Sequence, residues 1–174
     1  MKLTKKLLAM ALAGVMLLTI LTGCSGGKTG DRLVEEYIAS YYHSSPVYKD
    51  KPITNDVPEI KTVADMFKAA WLNENGEWTL SPRKPDDPEY KALQNVFSKY
   101  SSGHTVLLCA FEVDSKQSEL NQAMRVMIAT LSNGLPIHTD HSPNLTAIQY
   151  ATRLVTREGK SYRIAVVIYD HTAG

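Results

Sequence analysis

The apolar run from Thr105 to Val113 constrains the fold of this chain more than any other feature. Branched apolar side chains dominate it, and Glu112 is its only charged residue. Such a run favours a β-strand with both faces buried, as in the central strand of a sheet. The rest of the chain must therefore supply covering layers for two faces of a sheet.

An amphipathic helix is predicted directly after this strand, from Ser115 to Asn133. Gly134 and then Pro136 end it, because glycine favours the helix C-terminus and proline cannot continue a helix. Its apolar side chains recur at steps of three and four residues, and we expect all of them to face the core. They are Leu120, Ala123, Met124, Met127, Ile128 and Leu131.

Two further strands are predicted near the C-terminus. Residues 147–156 alternate, with Ile148 and Tyr150 on one side and Gln149 and Arg153 on the other. The turn Glu158-Gly159-Lys160 then leads into a second strand over residues 162–169. These two strands are expected to form a β-hairpin.

The N-terminal half predicts three helices. Asp31 is a candidate N-cap, Thr62 opens a capping-box pattern, and Asp87 precedes a proline at the first helical position. A short strand is expected around Trp78 and Leu80. The predicted helices span residues 31–43, 62–75 and 87–103.

This element order predicts an α+β domain in which about four helices pack on a small mixed or antiparallel sheet, made of the central strand and the C-terminal hairpin. If the strands at 105 and 147 run parallel, the helix between them crosses one sheet face, and the N-terminal helices cover the other. The order of a leading helix and final long strands also resembles cystatin-like and NTF2-like folds, which are the alternative.

The first residues have the order of parts found in an export signal. Lys2, Lys5 and Lys6 precede an uncharged run from Leu7 to Leu21. This run is about 15 residues long, whereas a membrane-spanning helix needs about 20. We therefore expect a cleaved signal peptide.

The residues Leu21-Thr22-Gly23-Cys24 resemble the lipobox of bacterial lipoprotein precursors, in which an aliphatic and two small residues precede a cysteine. The resemblance implies that residues 1–23 are removed and that the Cys24 thiol carries lipid. Residues 24–30 would be a flexible tether and residues 31–174 a single globular domain. The protein is then expected on the outer face of a bacterial membrane, in the cell envelope.

Composition narrows the function classes further. The chain has 19 Lys and Arg against 18 Asp and Glu. Three of those lysines lie in the signal, so the mature chain has a net charge of about −2, and we expect no nucleic-acid partner. With Cys24 lipidated, Cys109 has no disulfide partner and is expected to be a buried core residue, because it lies inside the apolar run.

Histidine and aspartate side chains mark the candidate site. Under the parallel arrangement they gather at one end of the sheet, where imidazoles and carboxylates bind divalent ions. The alternative is that polar residues collect at strand ends because water solvates them there. The candidate residues are His104, His138, Asp140, His141, Asp170 and His171.

No familiar catalytic or phosphate-binding motif occurs in the sequence, so catalytic residues are not assigned and no cofactor is expected. The leading hypothesis is a non-enzymatic domain that binds a small ligand or an envelope protein. The alternatives are a metal-dependent enzyme or metal-binding protein that uses the histidine and aspartate cluster, and an accessory subunit that docks through an exposed apolar patch. Tyrosines near residues 41–48 are a candidate stacking surface, or else pack half-buried against the domain.

Overall fold

The computed structural model describes residues 30–73, 86–132, 135–140 and 144–171. This part of the chain contains four α-helices and five β-strands. The helices are α1 (Gly30–Ser44), α2 (Ile60–Met66), α3 (Pro88–Val96) and α4 (Glu119–Ser132). The strands are β1 (Ile53–Thr54), β2 (His104–Val113), β3 (Leu135–His138), β4 (Leu145–Arg157) and β5 (Lys160–His171).

The strands form one mixed sheet in the order β1-β4-β5-β2-β3. β1 pairs with β4 in parallel, and the other pairings are antiparallel. The hairpin of β4 and β5 forms as predicted, and its turn residues Glu158 and Gly159 both have positive φ, of 52° and 78°. The α+β class with a mixed sheet and about four helices is confirmed.

The arrangement of β2 and β4 differs from the expectation. Both are antiparallel to β5, so they run in the same direction, but β5 separates them. α4 leads from β2 into β3, a strand that the sequence did not predict, since Pro136 only marked the end of the predicted helix. β3 is an edge strand, where a missing backbone donor is tolerated.

Two apolar clusters fill the two sides of the sheet. Val106 and Leu108 of β2 face α2 and α3, whereas Cys109 and Phe111 face α1 and α4. The first helix therefore lies on the same face as α4, and the expectation that all N-terminal helices cover the opposite face was wrong for α1. Side chains from α1 fill the space beside α4: Val34, Tyr37, Ile38 and Tyr42.

A buried arginine attaches α1 to the sheet. Arg163 on β5 is 1% exposed, and its guanidinium contacts the Asp31 carboxylate and donates twice to Gln122 Oε1 of α4, at 3.0 and 2.8 Å. Asp31 lies within the first turn of a helix that starts at Gly30. The predicted capping residue thus pairs with a charge on another element.

α1 also covers the part of the β4 edge that β1 does not reach. Its carboxylates lie one helical turn apart and accept alternate backbone N–H groups of the strand. Leu154 N donates to Asp31 Oδ1 at 3.2 Å, and Thr152 N donates to Glu35 Oε1 at 3.3 Å. An open sheet edge is a site for unwanted strand pairing, and these contacts close it.

The other helix ends agree only in part with the sequence prediction. Asp87 caps α3 as predicted, accepting from the backbone N–H groups of Glu89 and Tyr90. α2 starts two residues before Thr62, which lies within the helix, so the capping-box prediction was wrong. α2 also ends at Met66, and α3 ends at Val96 before a 3-10 turn. The strand expected around Trp78 and Leu80 lies outside the described residues.

Candidate functional site at the distal end of the sheet

The candidate residues lie at the end of the sheet where β2 begins and β5 ends. We call it the distal end, because α1 starts at the other end, beside Arg163. Arg163 and Asp170 are seven residues apart on β5, which corresponds to about 23 Å. The polar side chains that meet here form the distal cluster: His104, Thr105, Asp140, Gln149, Asp170 and His171.

On one side of the sheet, His104 and Gln149 both contact Asp170. His104 Nε2 lies 3.5 Å from Asp170 Oδ1, and Gln149 Nε2 donates to Asp170 Oδ2 at 3.0 Å. His104 Nδ1 lies 2.6 Å from the carbonyl oxygen of Ser102. Both ring nitrogens of His104 therefore face oxygen acceptors within the protein.

Thr105 connects three segments on the other side. Its hydroxyl donates to the Asp140 carbonyl oxygen and accepts from the Asp140 backbone N–H, both at 3.1 Å. His171 Nε2 lies 3.2 Å from the same hydroxyl. Because the only hydroxyl proton goes to Asp140, the imidazole must donate from Nε2. The Asp140 carboxylate accepts from Gly103 N at 3.1 Å.

Four of the predicted site residues thus come together: His104, Asp140, Asp170 and His171. His138 lies on β3, opposite Val106, and its Nε2 is buried without a hydrogen-bond partner among the described residues. His141 lies outside the described residues. Within the part of the chain that the structure describes, no three His, Cys, Asp or Glu side chains are placed to hold a metal ion.

Sequence reasoning missed Thr105 and Gln149. Gln149 was placed on the polar side of its predicted strand, and that alternation was the available signal. Thr105 looked like the first residue of an apolar strand. Its role depends on β3 and the residues after it returning alongside β2, which no local pattern showed.

Cys109 is buried, as predicted. It is 3% exposed, and burial raises the pKa of its thiol to about 12. A thiol that ionises only in strong base is a poor nucleophile at neutral pH. Cys109 therefore acts as an apolar core residue.

The tyrosines near the end of α1 pack against one another. Tyr42 is buried, and the rings of Tyr41 and Tyr48 meet it edge to face, at centroid distances of 5.5 and 5.3 Å. The Tyr42 and Tyr169 hydroxyl oxygens lie 3.0 Å apart, and burial raises the pKa of Tyr169 to about 12. This packing favours the half-buried alternative over a stacking surface.

An open depression of about 620 Å³ lies between the end of β2 and the start of α4. One of its two basic side chains, Arg125, stacks on Phe111, 4.1 Å from the ring centroid, and donates to the Glu112 carbonyl oxygen at 3.0 Å. The guanidinium is thus held by the protein itself. The other lining residues are Asp114, Lys116 and Gln117.

The chain matches no protein-family model, no curated protein and no solved structure. The cystatin-like and NTF2-like alternative therefore stays a prediction. No helix of the described residues is long and apolar enough to cross a membrane.

Proposed function

We propose that this protein is a bacterial lipoprotein, anchored by lipid on Cys24 to the outer face of a membrane, and that it binds a partner there without catalysing a reaction. The lipobox Leu21-Thr22-Gly23-Cys24 supports the anchor. The position of the first described helix is consistent with it. α1 starts at Gly30, and the contact between Asp31 and Arg163 holds this first turn on the domain.

The bonding of the distal cluster carries the proposal that the protein binds and does not catalyse. A general base needs a ring nitrogen that can reach a substrate proton. In the cluster, His104 has an oxygen beside each nitrogen, whereas His171 Nε2 is bonded to Thr105 and His171 Nδ1 is buried, out of reach of a substrate. These bonds join the ends of β2 and β5 to the segment after β3, which is a structural task. The partner is an envelope protein or a small ligand.

Metabolic labelling with radioactive palmitate tests the anchor, since the acyl chains of lipoproteins take up the label. The full chain is expected to incorporate label and to sediment with membranes. Cys24→Ala is expected to lose both properties. Cys109→Ala is the matched control, because its buried thiol is not the modified one. Label that persists in Cys24→Ala, or is missing from the wild type, would contradict the anchor.

A metal-binding protein is the second candidate, because His104 Nε2 lies 3.5 Å from Asp170 Oδ1 in the distal cluster, and imidazoles and carboxylates are the side chains that bind divalent ions. Metal analysis of the purified chain, with thermal melts in the presence and absence of a chelator, separates the two functions. A partner-binding domain predicts no bound metal and an unchanged melting temperature. A bound divalent ion, together with a chelator-induced drop, would favour the metal site instead.

A further inference from the structure

The outward face of α4 carries an uncharged row of exposed side chains, most of them apolar. Met124, Ile128 and Leu131 are 44%, 50% and 51% exposed, and Asn121 completes the row. The steps of three, four and three residues place all four on one face of the helix. We call this row the α4 stripe. The sequence predicted its three apolar members to lie in the core, and that prediction was wrong for each of them.

The buried side of α4 is already complete without the stripe. Ala123 and Val126 belong to the apolar cluster between α4, the sheet and α1, and Met127 is buried as well. Single exposed apolar residues are ordinary on protein surfaces, whereas an adjacent row is typical of an interaction surface. The α4 stripe is therefore a candidate interaction surface.

The first residue of α1 shows which surface of the domain lies near an anchor on Cys24. Gly30 lies beside the first residue of α4, since a Cβ on Gly30 would lie 3.8 Å from Glu119 Oε1. The seven residues from Cys24 to Gly30, joined by six Cα–Cα steps, span at most about 20 Å when extended. From Glu119 to Leu131, α4 rises about 18 Å. A lipid on Cys24 thus holds a membrane within reach of the whole stripe.

We propose that the α4 stripe docks on the lipid surface beside the anchor, so that α4 lies flat on the membrane. This inference rests on the proposed lipid anchoring. The sheet face that carries α2 and α3 would then point away from the membrane, with the distal cluster at the side of the domain.

Two arguments favour lipid over a second copy of the chain. A standard protein interface buries about 800 Å² on each partner, and three half-exposed side chains supply only a fraction of that area. A membrane requires no shape complementarity, and the tether holds the stripe at a high effective concentration near it. A weak apolar contact is therefore sufficient, and it should persist at high salt because the stripe carries no charge.

A fluorophore on the stripe tests the proposal in the full-length, acylated protein. Cys24 is blocked by lipid and Cys109 is buried, so Ile128→Cys can be labelled selectively with an environment-sensitive dye. Lys61→Cys is the matched control, because Lys61 is exposed on α2 at the opposite sheet face. Both proteins are placed in phosphatidylethanolamine and phosphatidylglycerol vesicles, with or without lipids that carry a doxyl quencher on the acyl chain.

We expect the dye at position 128 to emit at shorter wavelength and to be quenched by the doxyl lipids, while the dye at position 61 is unchanged. A shift to shorter wavelength without lipid quenching would show that protein covers the stripe, and would overturn the proposal. A water-like signal at position 128 in protein that is acylated and vesicle-bound would overturn it too, while leaving the anchor intact. Lack of acylation on Cys24 would overturn both.

Discussion

The contact between Asp31 and Arg163 should contribute strongly to stability, and Asp31→Ala tests it. The substitution removes the carboxylate from a guanidinium that is 1% exposed, and it also removes the acceptor of the Leu154 backbone N–H. Arg163 would keep only Gln122 as a partner among these contacts. A charge left without its partner in the interior is far more costly than a lost surface contact.

The loss of stability expected for Asp31→Ala follows from how deeply Asp31 and Arg163 are buried. Removing one member of a fully buried ion pair costs about 3–5 kcal/mol. The Asp31 side chain is 41% exposed, so water replaces part of what the carboxylate supplied. We therefore expect a loss of about 2–3 kcal/mol in the free energy of unfolding. For a domain of this size, this lowers the melting temperature by about 5–10 °C.

Thermal and urea unfolding, followed by circular dichroism, measure the loss. Asp31→Asn keeps one acceptor oxygen, so its loss in the free energy of unfolding should be about half that of Asp31→Ala. Arg32→Ala is the matched control, because its pair with Glu36 is exposed, with 67% of the Arg32 side chain accessible, and such pairs contribute below about 0.5 kcal/mol. Equal stability of Asp31→Ala and Arg32→Ala would refute the reasoning.

Three other predictions concern buried or half-buried polar groups. Burial raises the pKa of Glu35 above its usual value of 4.5, so its ionisation disfavours the native state, and stability should fall as pH rises from 4.5 through the native pKa. Glu35→Gln keeps an acceptor for Thr152 N, so its free energy of unfolding should match or exceed that of the wild type at pH 7 and equal it below pH 4.5. A free energy of unfolding lower than the wild type's by more than about 1 kcal/mol at pH 7, measured by urea unfolding, would contradict this. The Cys109 thiol should react with Ellman's reagent only after unfolding, and rapid modification of the native protein would show that the strand opens. Thr105→Val should lose about 1–3 kcal/mol in the free energy of unfolding because it removes the hydroxyl that bonds both the carbonyl oxygen and the N–H of Asp140, whereas Thr105→Ser keeps that hydroxyl and should not. Equal melting temperatures of the two variants would argue against the hydroxyl's role.

Four of the six residues of the distal cluster were accessible to sequence reasoning. His104, Asp140, Asp170 and His171 do gather at one end of the sheet, although the expected reason was only partly right, since β5 lies between β2 and β4. The ends of these strands lie at the same end of the sheet whether or not β5 separates β2 from β4, so the four residues come together although the expected arrangement was only partly right. The bonds themselves depend on side-chain positions that a linear pattern does not contain.

The sequence by itself determined the local elements with the strongest periodicity. The apolar run of β2, the three- and four-residue spacing of α4, and the Glu158-Gly159 turn each specify a backbone conformation through contacts between near neighbours. The burial of Cys109 followed as well, because a strand that is apolar on both faces must be covered on both.

Only the tertiary structure decided what lies beside each element. Helical spacing made α4 apolar over a wide arc, but the space between the sheet and α1 admits only part of that arc, so the α4 stripe stays exposed. In the same way, Asp31 has the chemistry of a helix cap, yet it pairs with Arg163, a residue 132 positions away in the sequence. Periodicity determines which faces a segment has, whereas packing against distant segments determines which of those faces are buried.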